Sequence, residues 1–417
     1  MIVLLMIVVL VLTIHGMALF GSLGWMGILL QYQAFMRESG GEAAWKDILD
    51  SLTNNFITPF GQLTMNDLLL PIPLFTLAGY LLAKSGAPRR IINIFRFLTQ
   101  KFLGNTAFAL GVMAIIVSAV FTPLTGASGV TIIALGGILY PILKEQGYGD
   151  RLTLGIITAS GSLGLLFFPS LPVILYGIMS NNKAPIPELF KWGFLAGIIL
   201  ILLPSLYVVW QTRNVRINQD EEITWTDIKG DFWKFFLEML IVPIIFVLFL
   251  TGKIIVSEMG LLTLLYFYIL EVVVYQEISW QKQKLLFEES LSLLGGILII
   301  IFFASSLTSY MIDQQVPQKL FEWIQGFITS KWTFLIVLNI FLLIVGALMD
   351  IFSAIVVVAP LIIPVGEMFG INMLHLGILF LTNLEIGYLT PPVGINLFIS
   401  SFRFKKSMVE VYRSVFH

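Results

Sequence analysis

One aspartate, Asp350, stands between two apolar runs, FLLIVGALM and IFSAIVVVA. A charge at the centre of a bilayer costs at least ~2.5–3.5 kcal/mol, so such a residue normally faces a cavity and holds an ion or a partner. It can equally cap a helix beginning at Ile351, and a capping carboxylate can shape an ion site at the same time. Downstream, TNLEIGYLTPPVGIN adds Asn383, Glu385, Thr390 and Asn396. Pro391 and Pro392 remove two amide donors there and free carbonyls of the preceding turn for a cation. Glu385 also reads as a structural partner of a backbone amide. The first half carries a milder set: LTGASGVT with Thr125, Gly126 and Ser128, then ASGSLGLLFFPSLP with Ser160, Ser162, Gly164, Pro169 and Ser170. Gly126 and Gly129 permit a tight turn, and Ser128 can cap the half-helix that follows.

The two polar stretches resemble one another. Pro141 and Pro364, Gly147 and Gly370, Gly164 and Gly387, and Pro169 and Pro392 all pair at an offset of 223 residues (364 − 141). Breaking a helix inside a membrane leaves backbone groups unsatisfied, which is tolerated only where they line a cavity or bind something. Matched breaks in two halves of a chain point to a transporter's binding site. Half-helix N-termini suit anions, and C-terminal carbonyls suit Na⁺. The expected Na⁺ ligands are therefore groups around Gly126, Ser128 and Gly164, and around Asp350, Gly387 and Thr390. A small organic anion would meet Thr125, Ser128, Ser160, Ser162, Pro169, Ser170, Asn383, Pro391, Pro392 and Asn396. Against this, a lone serine in a membrane helix often only packs helices closely.

Composition points to a lipid environment. Of the 417 residues, 58% are hydrophobic and 12% charged, against about 25% charged in soluble domains. Apolar stretches of bilayer-spanning length recur throughout. The net charge of −1 offers nothing to nucleic acid, and zero cysteines exclude disulfides and thiol chemistry. His15, His375 and His417 are too scattered for a transition-metal cluster, and no phosphate-binding glycine loop occurs, which removes ATP as a direct energy source. Na⁺ is the only metal expected, as a coupling ion. The N-terminus lacks a basic n-region and reads as a retained span.

The sequence therefore predicts an all-α polytopic membrane protein. Residues 1–65 form an N-terminal span and amphipathic segment, and 66–211 a first repeat with a hairpin at 105–144. Residues 212–285 are linker and connecting spans, and 286–417 a second repeat with a hairpin at 333–368. If the N-terminus is cytoplasmic and both hairpins re-enter the membrane from the side they left, seventeen of the 24 Lys and Arg residues fall on the cytoplasmic side, the bias expected of cytoplasmic loops. The two repeats then have opposite orientation.

LPIPLFTLAGYLLAKSGAPRRI from Leu70, FTPLTGASGVTIIALGGILYPILKEQGYG, and the run from Met349 through LTPPVGINLF together resemble the large membrane subunit of the tripartite ATP-independent periplasmic (TRAP) transporters. The resemblance covers roughly residues 10–415. It implies a sodium-driven carrier of the bacterial inner membrane that works with a smaller membrane subunit and a periplasmic substrate-binding protein. It also implies an inverted repeat with two re-entrant hairpins, an elevator-like transport domain moving against a scaffold, and a small organic acid as cargo. Where that family commonly has Ser-Gly-Ser-Ser at the first tip, this chain has Thr125-Gly126-Ala127-Ser128; where it has Ile-Pro-Pro-Ser, Phe167-Phe168-Pro169-Ser170 stand here. The nearest alternative is a sodium/dicarboxylate symporter working without a binding protein. A channel, or an intramembrane aspartyl protease, which would need a second deep aspartate, fits the sequence less well.

Overall fold

The computed structural model describes residues 19–39, 45–65, 69–104, 106–181, 183–213, 223–328 and 330–416. Among them every regular element is helical, and eight helices are long and apolar enough to cross a membrane. The expected N-terminal span begins outside the described residues and enters them as α1 (Leu19–Glu38), followed by α2 (Trp45–Met65).

The first half continues with α3 (Pro71–Lys84) and the amphipathic α4 (Ala87–Leu103), then the pair α5 (Ala107–Thr125) and α6 (Ser128–Glu145). A short α7 (Asp150–Ser160) gives way to an irregular stretch before α8 (Leu171–Met179), and α9 (Ile186–Thr212) closes the half. Two connecting spans follow: α10 (Trp225–Leu250), opened by a capping box in which Asp227 accepts the Thr224 amide at 2.8 Å, and α11 (Val256–Tyr268), which runs into a π turn at Ile269–Val274. The second half holds the long α12 (Trp280–Asp313), amphipathic α13 (Val316–Gln325), the pair α14 (Lys331–Leu348) and α15 (Ile351–Met368), then α16 (Met373–Gly387), α17 (Ile395–Phe404) and α18 (Met408–Val415).

Helix boundaries recur at the sequence offset. α6 and α15 start and finish 223 residues apart (351 − 128 and 368 − 145), and so do the starts of α7 and α16 (373 − 150). Pro169 and Pro392 both follow cis peptide bonds. The physical reason for the first break is local: Gly126 takes a left-handed conformation (φ 68°), donates to Thr122 O at 2.9 Å and ends α5. α14 ends without such a glycine, through an extended Met349 and then Asp350 as the cap of the next helix.

The halves interlock. α15 lies on α8, α17 on α6, α18 on α7, and α9 on α16, so each broken helix is flanked by the other half. One apolar core gathers α8, α12, α15 and α16, and a second gathers α4 to α7 with α10.

Candidate functional site

The turns of both helix pairs open onto one cavity of about 470 Å³. Ala127–Val130 forms one wall, Asp350–Phe352 another, and Tyr388 a third, while α12 contributes Ser292 and Gly296 and α3 contributes Tyr80. The second helices of the two pairs, α6 and α15, both begin at the cavity, and their N-termini differ.

α15 is capped. Asp350 accepts the Ser353 amide at 3.0 Å and the Ser353 hydroxyl as well, and the Tyr388 hydroxyl accepts the amide of Ile351. The first-turn donors of this helix are largely consumed within the protein, and the carboxylate brings negative charge to the positive end of the helix dipole. α6 is not capped. Its cap position is Ala127, extended at φ −144° and ψ 128°, with no side-chain oxygen to offer. Ser128, expected from the sequence as the cap, is the first helical residue, so its hydroxyl cannot play that part. Thr131 is the first residue whose amide bonds back along the helix, to Ala127 O at 3.4 Å. The amides of Ser128 to Val130 therefore have no partner back along the helix.

The structure brings Ser128 and Asp350 together at this cavity and leaves most other expected residues behind its walls. Thr125 is buried and turned inward, donating to Thr122 O at 3.0 Å and standing 3.1 Å from the Thr131 hydroxyl. Gly164 and Gly387 are sites of close helix approach. A Cβ at Gly164 would lie 2.4 Å from Ala119 O, and one at Gly387 would lie 2.7 Å from the Cα of Gly346. Asn383 is buried and braces α14, donating to Asn339 at 2.7 Å and to Leu379 O at 2.8 Å. Thr390 donates to Ile386 O at 3.1 Å. Pro392 is exposed and its carbonyl accepts the Tyr412 hydroxyl, Pro391 is half-buried, and Pro169 is buried. Ser160 faces a separate cavity of about 650 Å³, together with Arg151 and Tyr207.

Several buried polar atoms in the broken segments have no hydrogen-bond partner. They are the hydroxyls of Ser162 and Ser170, both oxygens of Glu385 and the Asn396 side-chain oxygen. The Asn396 amide donates to Thr158 O at 3.4 Å, and Thr158 in turn donates to Ser400 at 2.8 Å, joining α7 to α17. Tyr388, Tyr80 and Ser292 were not singled out by the sequence. Tyr388 lies in the quoted LEIGYLTPP stretch, but a tyrosine there reads as packing until its hydroxyl is seen on the Ile351 amide.

The family described as "Tripartite ATP-independent periplasmic transporter, DctM component" matches residues 5–417. A C4-dicarboxylate TRAP transporter large permease protein, DctM, of Rhodobacter capsulatus is 28% identical, with 82% of this chain and 80% of that protein covered. A putative TRAP transporter large permease protein of Haemophilus influenzae is 30% identical over 85% of this chain and 86% of its own. Among solved structures, the YdaH transporter of Alcanivorax borkumensis shares the fold at a TM-score of 0.63 and 14% identity, covering 88% of this chain and 84% of that one. MtrF of Neisseria gonorrhoeae does so at 0.55 and 15%, covering 89% and 82%. With a family match along nearly its whole length, and eight helices of membrane-spanning length and composition, the chain belongs to the DctM, or large permease, component of the tripartite ATP-independent periplasmic transporters, a multi-pass protein of the bacterial inner membrane.

Proposed function

We propose that this permease carries a small organic anion inward by symport with Na⁺. It would accept cargo from a periplasmic substrate-binding protein and work beside a small membrane subunit. The observation that carries the reading is the shared cavity, where the uncapped N-terminus of α6 suits a carboxylate and Asp350 suits a cation. Among the described residues that line the cavity there is no arginine or lysine, so a carboxylate would be held by backbone amides and the Ser128 hydroxyl. Several relatives support the substrate class by name, C4-dicarboxylate in Rhodobacter capsulatus and isethionate in a DctMQ permease of Oleidesulfovibrio alaskensis. The chain covers 52% of that longer DctMQ protein.

In this reading α5–α6 and α14–α15 are re-entrant hairpins that enter from opposite faces, carried by a transport domain that slides against a scaffold containing α1, α2, α10 and α11. Na⁺ binds at both turns. The experiment is uptake into proteoliposomes containing the permease, a small subunit and a binding protein, with Na⁺ or K⁺ outside. Uptake should require inward Na⁺, and equal uptake with K⁺ would overturn the coupling. Ala127→Cys and Ile351→Cys should be labelled from the cytoplasm and the periplasm respectively; labelling of both from one face alone would exclude the inverted arrangement.

A further inference from the structure

Four ionisable side chains far apart in sequence meet where α4 crosses α10 and the π turn. Arg90 is 5% exposed, Glu238 and Glu271 are 0% exposed, and Glu277 is 22% exposed. The Arg90 guanidinium divides its donors unequally. Nη1 grips both oxygens of Glu277, at 2.6 and 2.8 Å, while Nη2 alone serves Glu238 and, at 3.3 Å, Glu271. Glu277 has further partners in Lys234, at 3.0 Å, and the Gly86 amide, at 2.8 Å. Glu238 Oε2 has none.

The charges do not balance. Two cations, Arg90 and Lys234, face three carboxylates, and Lys234 is spent on Glu277. Among the described residues, the other titratable groups placed against the cluster are tyrosines. Tyr275 lies beneath Arg90 and Lys234, with its hydroxyl on Lys234 O, and Tyr266 donates to Leu237 O. Ser85 completes the wall beside Glu271. An uncompensated negative charge at a fully buried position is costly, and two carboxylates within hydrogen-bonding reach of one another relieve it by keeping a proton. Glu238 and Glu271 both turn a carboxylate oxygen onto one and the same nitrogen, Arg90 Nη2, and Glu238 Oε2 is left without a partner beside them. The π turn supports a built site, because widening the helix at Ile269–Val274 re-aims the residues it contains and such turns are frequent at functional positions.

We propose that Glu238 and Glu271 bind one proton between them, making the clamp that fastens α4 to α10 and α11 a proton site. Neutral Glu271 or Glu238 donates to its ionised partner, and the remaining single negative charge pairs with Arg90. This site is separate from the cavity at the helix turns and does not depend on how cargo is carried.

The test is infrared spectroscopy of purified permease in lipid nanodiscs, comparing wild type with Glu238→Gln and Glu271→Gln. Difference spectra should show that each single variant lacks one carbonyl stretch of a protonated carboxylic acid that wild type has, because the remaining carboxylate is then ionised against Arg90, while any band from the separately buried Glu385 is common to all. Both singles should melt within a few degrees of wild type, since glutamine imitates the protonated acid. The double variant should be markedly less stable, leaving Arg90 with no counter-charge on that side. Superimposable spectra in this band would overturn the proposal. So would failure of either single variant to fold, because that would mean both carboxylates are needed in ionised form.

Discussion

Ala127 and Asp350 occupy the same place, 223 residues apart (350 − 127), at the cap of the second helix of each pair, and only Asp350 supplies a capping side chain. The asymmetry sits at the lip of one cavity, so the two helix ends facing it are chemically unlike. An aspartate capping both would place two negative charges there; an alanine at both would leave two sets of free amides.

Ala127→Ser should stabilise the protein by about 1 kcal/mol, the usual worth of an N-cap hydroxyl over alanine. The backbone at Ala127 is already extended, as a capping residue requires, so the hydroxyl needs no rearrangement to reach the first-turn amides. The measurement is the melting temperature of the purified protein, and no upward shift would show that those amides are already satisfied.

Gly164→Ala and Gly387→Ala should each destabilise the fold by about 1–3 kcal/mol or more, as overpacking does. The added methyl meets the backbone of α5 in one case and of α14 in the other, and backbone cannot turn aside as a side chain can. Gly230→Ala is the control: nothing lies within 4 Å of its added carbon in α10, and alanine should gain up to about 1 kcal/mol there through helix propensity. Thermal melting of the three variants separates crowding from a general effect of losing glycine.

The repeat and the helix ends were legible because breakers act locally: Gly126, Asp350 and the paired prolines set boundaries without help from distant residues. Which side chains share a cavity was less legible. Asn383 and Tyr388 both flank the second break, but five residues of helix turn them to different faces, one toward Asn339 and the other toward Ile351. A shift of one residue in where α6 begins moved the cap from Ser128 to Ala127. The Arg90 cluster had no local signature beyond two glutamates in apolar runs, since its four members come from separate elements brought together only by packing.

Acid should weaken the tie between the two halves at Asp150. Hydrogen bonds from Lys406, at 2.6 Å, and from Tyr140, with Lys144 beside them, pull its carboxyl from an ordinary 3.8 down to about 2. A lowered carboxyl contributes stability above its unfolded-state value and loses it as pH falls through the folded one. The contribution should therefore be whole above about pH 4 and fade toward about pH 2. Asp150→Asn should show a shallower loss of melting temperature across that window than wild type, and parallel curves would assign acid sensitivity elsewhere.

Asp350→Asn should spare folding and impair Na⁺-dependent uptake. Asparagine caps helices about as well as aspartate, and its side-chain oxygen can still accept the Ser353 amide now held at 3.0 Å. The second position becomes an amide that can donate to the Ser353 hydroxyl, so the local geometry survives. What disappears is the negative charge facing the cavity. If that charge neutralises bound Na⁺, the variant should melt like wild type without Na⁺ and gain less stability than wild type when Na⁺ is added. Its uptake should require higher Na⁺ or fail. Normal uptake with an unchanged Na⁺ dependence would make the carboxylate a cap alone and place the second cation elsewhere.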